Sequence, residues 1–338
     1  MSKHALIIGG GLGGLFCGYL LNRSRWDVTI LEQGNQLGGA LQTFSRDGIR
    51  FDTGFHSVGG LAPGEPLWEI FHPLGLMYLP WIKAGDDECI DGGPFMRLSG
   101  SSDFEIEHVI KPYQGSVWRL KGGGKTLVDA LAKTQDYRLR KKVVSIRDRE
   151  VLCSDNSTFR ADVIVSAIHP RVTVDLVKDH VRSSYLKRLS KLEDGPGAVT
   201  LNCKLRDGML RWEDHAIFIG NKVMIHFGEP DADGYAKSVD LMGFAPITPE
   251  EMKEIAATRL KDLQYAIEKC WVSTPATWER FTGTPGGSAF GIVKRSSADY
   301  LPPETPLPWL FLTGQNIGLH GVLGTCMSAV NTVNALNK

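Results

Sequence analysis

Three glycines, Gly9, Gly11 and Gly14, stand in a G-x-G-x-x-G pattern, and a carboxylate, Glu32, follows 23 positions after the first. In such a set the first glycine permits a tight turn and the second lets main chain approach a pyrophosphate. The third lets a helix pack against the preceding strand, while the acid meets ribose hydroxyls. A second pair, Gly38-Gly39, marks another place where the backbone must turn sharply or lie close to something. His56 in "DTGFHSVGG" and His320 beside the C-terminal glycines are the candidates for proton handling. The run "GGGKT" could pass for a phosphate loop, but the glycine that loop needs five positions before Gly124 is Arg119 here, so it is rejected. Lys125 and Arg119 are read as solvated charges.

These residues need strands and helices to hold them. Ala5 to Ile8 is a short apolar run of the kind buried on both faces of a parallel sheet. A helix over roughly Gly13 to Asn22 and a strand "DVTILE" ending in Glu32 follow, and the helix N-terminus would carry the pyrophosphate. "KKVVSI" and "ADVIVSAIHP" read as further strands, and "LFLTG" as a closing strand before a final helix. Between Ile168 and Thr282 the pattern changes. "GAVTLNCKL", "HAIFIGN", "KVMIHFG" and "SVDLMGFAP" read as an antiparallel sheet. One long helix is expected over "TPEEMKEIAATRLKDLQYAIEKC", capped by Thr248 with Pro249 and two glutamates in its first turn.

The blocks "GGGLGGL", "VTILEQGNQLGGALQTF" and "GIRFDTGFHSVGG" together resemble the N-terminus of FAD-dependent oxidoreductases of the phytoene desaturase, carotenoid isomerase and retinol saturase group. "WRLKGGGKTLVDALAK" and "PWLFLTGQNIGLHGVLGTCMSAVNTVNAL" resemble later segments of that group in the same order. The resemblance implies an α/β fold: a Rossmann-like FAD-binding domain (1–75, 111–172 and 283–338) and an α+β substrate domain on an antiparallel sheet (76–110 and 173–282). It implies non-covalent FAD held by Gly9, Gly11, Leu12, Gly13, Gly14, Glu32 and Gln33. The second pair, with Ala40 and Leu41, would carry main chain past the pyrophosphate and ribityl chain. Val143 would meet the adenine, and Ala167, Gly314 and Asn316 would lie along the cofactor, with an amide where relatives often have aspartate. Val322 and Leu323 would open a helix whose dipole favours the negative charge of reduced flavin. His56 could face the isoalloxazine.

The activity so implied is dehydrogenation, saturation or isomerisation of a lipophilic, unsaturated substrate. Two alternatives stand beside it: a flavin-binding protein completed by a partner, and an amine-oxidase-like flavoenzyme, disfavoured because Ala40 replaces the arginine usual there. Relatives of that group carry a helical cover over the substrate; here only residues 77–116 stand in its place, so an exposed flavin is expected unless a second copy or a membrane surface closes it. The aromatic stretch Pro66 to Ile82 is read as a core helix broken by proline, with a greasy entrance as the other reading.

Composition sets the outer limits. With 38 basic and 38 acidic residues, formal charge is zero, which disfavours nucleic acid. Six scattered cysteines without a CxxC pair indicate neither a metal site nor a disulfide framework. A cytoplasmic chain with reduced thiols is expected.

Overall fold

The computed structural model describes residues 2–91, 102–107 and 115–338. Much of the region expected to stand in for the cover, 92–101 and 108–114, lies outside the described residues. A five-stranded parallel sheet has the order Leu310–Leu312, Val163–Ser166, His4–Ile8, Asp27–Leu31, Asp136–Arg138. Its central strand, β1 (His4–Ile8), is buried on both faces because side chains alternate across a strand. Ala5 and Ile7 point to the helical layer of α1 (Leu12–Arg23) and the C-terminal helix Gly321–Leu336. Leu6 and Ile8 point the other way, onto Ile146, Val151 and Cys153 of a three-stranded antiparallel sheet over 143–160.

A six-stranded sheet runs Ile267–Ser273, Ala198–Leu205, Ser238–Phe244, Val223–Phe227, Ile217–Ile219, Glu88–Ile90. All its pairings are antiparallel except the last. One face (Leu201, Ile225, Leu241 and their neighbours) is covered by the helix Pro249–Ala257 through Met252 and Ala256. The opposite face carries Phe218, Met224, Met242 and Phe244, and further along Asn202, His226 and Asp240.

Two expectations are corrected. The long helix ends at Ala257 after a complete capping box of Thr248 and Glu251, and "IEKCWVS" is a strand. Helical spacing of apolar residues continued past the true end, but Ile267–Ser273 supplies the hydrogen-bonding partner that Ala198–Leu205 otherwise lacks on that side, and tertiary pairing overrides local preference. Cys203 and Cys270, directly opposed across those two strands, form a disulfide that their separation of 67 residues concealed.

The aromatic stretch forms the helix Pro66–Phe71 and two short turns, with Leu67, Phe71 and Leu76 buried. Trp68 and Trp81 are half-buried, Trp68 stacked on His72 and Trp81 bonded to Leu76 O; Tyr78 and Ile82 are exposed. No described helix is long and apolar enough to cross a membrane.

Candidate functional site

The end of β2 (Asp27–Leu31) is tied to the glycine loop by Glu32. Its Oε2 accepts from Gly10 N–H at 2.7 Å and its Oε1 from Gly34 N–H at 2.6 Å. The second glycine pair lies directly on the first loop. Gly38 N–H donates to Gly10 O at 2.8 Å, Gly38 and Gly11 form a parallel bridge, and a Cβ on Gly39 would stand 3.1 Å from Gly11 Cα. Gly38, at φ +122°, occupies a backbone region that L side chains rarely adopt. A fourth segment joins them: a Cβ on Gly13 would be 2.9 Å from Gly314 Cα. The second pair therefore completes a cradle of bare main chain rather than a separate turn.

That cradle fits a dinucleotide. Neither α1 nor the C-terminal helix has a side-chain cap or an acidic residue in its first turn, so their leading N–H groups are available to an anion. Thr313, immediately before Gly314, has a buried hydroxyl with no protein partner.

Beside the cradle lies a cavity of about 620 Å³. Ala40 and the helix start Val322–Gly324 form one wall; Phe218, Met224 and Met242 of the large sheet form another; Trp278, Phe290 and His320 close a third. His56 also lines it. The sheet, His56 and the segment before Gly291 thus supply walls to this space, which stays partly open among the described residues.

The expected residues fall as follows. Gly9, Gly11, Gly13, Gly14, Gly38, Gly39 and Gly314 converge, with Ala167 against Gly9 and Gly14. Leu12 and Leu41 are buried in the core behind the loop, and Gln33 is exposed. Val143 sits half-buried opposite Cys153 in the three-stranded sheet. The Asn316 Oδ1 is committed elsewhere, accepting from Ile292 N–H at 3.1 Å, and its carbonyl receives Lys294 Nζ at 2.7 Å. Lys125 is solvated and paired with Asp129, whereas Arg119 is not the surface charge expected: it donates to Phe227 O at 2.6 Å, lies over Trp212, and its Nη1 is withdrawn from solvent without a partner.

His320 and His56 are half-buried residues whose ring nitrogens, both of His56 and the Nε2 of His320, are shielded from solvent. Burial pushes the His320 imidazole down to about 4, helped by the charge of Lys294, and burial with Arg119 does the same to His56. His320 Nδ1 faces Glu105 Oε1 at 3.7 Å, and its Nε2 has no protein partner. Glu105 arrives on a short capped turn whose Ser102 bonds Lys294 O. Lys294 itself is only 1% exposed, and burial lowers its ammonium to about 8. Neither Glu105 nor Lys294 announced itself in the sequence, since each looks like an ordinary surface charge until the fold buries it.

Comparisons with known proteins bear on this geometry. Residues 7–74 match the model of an NAD(P)-binding Rossmann-like domain, and residues 86–201 that of flavin containing amine oxidoreductase. Over these segments the chain is similar to FAD-dependent oxidoreductases. It is 36% identical over 95 residues to the all-trans-retinol 13,14-reductase of Danio rerio, covering 28% of this chain and 16% of that one. It is 41% identical over 126 residues to the same enzyme of Macaca fascicularis, covering 37% and 18%. Over 54 residues it is 41% identical to a 4,4'-diaponeurosporene oxygenase of Staphylococcus aureus, covering 16% and 11%. The alignments thus span less than a fifth of these relatives' own lengths. An oxidoreductase from Methanosarcina mazei superposes with a TM-score of 0.71 at 15% identity, covering 99% of this chain and all of that one. A putrescine oxidase variant does so with 0.71 at 13% identity, covering both chains fully, and these likenesses carry the fold. FAD is the cofactor that the matches support.

Proposed function

We propose that this FAD-dependent oxidoreductase moves hydrogen to or from a carbon–carbon bond of a lipophilic, unsaturated, polyene-like substrate held in the cavity. One observation carries this reading: the cavity is bounded on one side by the uncapped start of the C-terminal helix and on the other by the apolar side chains Phe218, Met224 and Met242. Its volume falls within the roughly 300–1,000 Å³ of small-molecule sites. The similarity to retinol reductases and a carotenoid-type oxygenase supports the same substrate class.

FAD, bound without a covalent link, supplies the two-electron redox chemistry. The glycine cradle and Glu32 hold it, and the sheet wall seats the substrate and excludes water. Of the two histidines on the cavity, His320 is the one for a proton, because the Glu105 carboxylate faces its Nδ1 at 3.7 Å and can stabilise the charged ring. His56 has no such partner.

Anaerobic mixing of the FAD-loaded protein with retinoids and short carotenoids tests the proposal. Bleaching or recovery of the flavin absorbance, with a product differing by two hydrogens, is expected. A yellow protein inert to every polyene, in both flavin redox states, overturns the substrate class; one that instead turns over primary amines favours the amine-oxidase reading.

A further inference from the structure

Behind the wall that His56 contributes to the cavity lies a closed polar cluster that the chemistry above does not use. His226 and Asp240 are buried, the half-buried His56 has both ring nitrogens shielded from solvent, and one ligand atom from each of the three lies within 4.8 Å of the others. All four ring nitrogens of the two histidines lack a hydrogen-bond partner. Unpaired buried polar atoms are rare and point to a bound species. Here they come from separate parts of the chain: His56 follows the glycine-loop segment, while His226 and Asp240 are cross-strand partners in the large sheet.

The geometry points to a site for a divalent zinc-class metal ion held by His56, His226 and Asp240. Three donors with no pair more than 4.8 Å apart share a centre no further than about 2.8 Å from each. That is within about 0.8 Å of the 2.0–2.2 Å typical of zinc bonds to imidazole and carboxylate, a closure that rotation of the rings can supply. The outer contacts match those of a metal site. Asn202 Nδ2 donates to Asp240 Oδ1 at 2.6 Å and fixes the carboxylate. His226 approaches the main chain of His56, short of a full hydrogen bond, which is the second contact a ligating imidazole commonly makes. Among the described residues Arg119 is the cation facing the cluster, and its charge is answered by Asp214, Asp52 and Glu229 as well as by Asp240 itself. Among the described residues a second acidic set, Glu88, Glu213 and His215, is already occupied by Arg259, which bonds both carboxylates.

The ion would staple the large sheet to the segment that follows the glycine loop, and so fix His56 in the cavity wall. Untagged protein reconstituted with Zn²⁺ and dialysed against metal-free buffer should retain about one equivalent by mass spectrometry. Chelation should lower its melting temperature, and zinc K-edge absorption should show two imidazoles. His226→Ala and Asp240→Asn should each weaken zinc binding at least as much as the about 10–100-fold that loss of a supporting outer contact costs; Glu213→Gln should not. Retention below about one tenth of an equivalent, an ordered water at the centre of zinc-soaked crystals, or zinc kept by both ligand variants would overturn the proposal. If a variant does not fold, the metal content and edge spectrum of the unsubstituted protein decide. None of these readouts depends on the flavin or its substrate.

Discussion

Gly39 rests on Gly11: a Cβ at position 39 would meet Gly11 Cα at 3.1 Å. This contact explains why a chain with one glycine loop carries a second pair so soon after it. Gly39→Ala should therefore push the two loops apart and lose FAD, with binding at least tenfold weaker. Gly48→Ala is the control, because Gly48 also has positive φ but a Cβ there would find no atom within 4 Å. Both should lose about 1–2 kcal/mol of stability from the left-handed backbone. Equal FAD affinity in the two variants, read by fluorescence titration, would defeat the cradle.

Glu32 is a tie as well as a ligand candidate. Glu32→Ala removes the acceptor for two N–H groups at the loop, so FAD affinity should fall by roughly 1.5–3 kcal/mol and thermal stability should drop with it. Calorimetric titration that finds unchanged affinity removes Glu32 from the cofactor site.

The His320 ring gives a pH signature. Its folded-state value of about 4 lies below the ordinary 6.5, so the unfolded chain takes up the proton first as pH falls. The resulting loss of stability begins near pH 6.5 and is complete near 4, at up to about 1.4 kcal/mol per pH unit. His320→Gln abolishes that contribution while leaving Glu105 and Lys294, the ionisable groups facing the ring, in place. Denaturant melts at pH 7, 6 and 5 should show the variant gaining on the parent at each step down. Parallel curves would mean that the ring is not held in its neutral form.

Filling the cavity separates cofactor from substrate. Met242→Trp adds bulk to the wall formed by the sheet without touching the glycine cradle. FAD content should persist while flavin reduction or reoxidation by polyenes falls more than tenfold. Full turnover in the variant would place the substrate elsewhere.

Much of this was legible in the residues. The strand, glycine loop, helix, second strand and Glu32 follow a local pattern, and Thr248, Pro249 and Glu251 mark a helix start by side-chain chemistry alone. What escaped depends on contacts between distant segments. The end of that helix was set by the pairing of Ile267–Ser273 with Ala198–Leu205, which no window of sequence contains. Arg119 reads as a surface charge until Phe227 O and the Trp212 ring enclose it. His226 carried a faint signal: in "VMIHF" it shares the parity, and so the sheet face, of Met224. Nothing in the spacing joined it to His56.

The two faces of the large sheet divide the protein's evolutionary freedom. Phe218, Met224 and Met242 face the cavity and alternate along their strands with Ile217, Ile219, Val223, Ile225 and Leu241, which pack in the core under the Pro249–Ala257 helix. Substitutions at the first set can reshape what the cavity accepts while leaving the packing that keeps the sheet folded. A lineage built on this chain can thus change what its cavity accepts by altering alternate residues on neighbouring strands, without first having to acquire surplus stability.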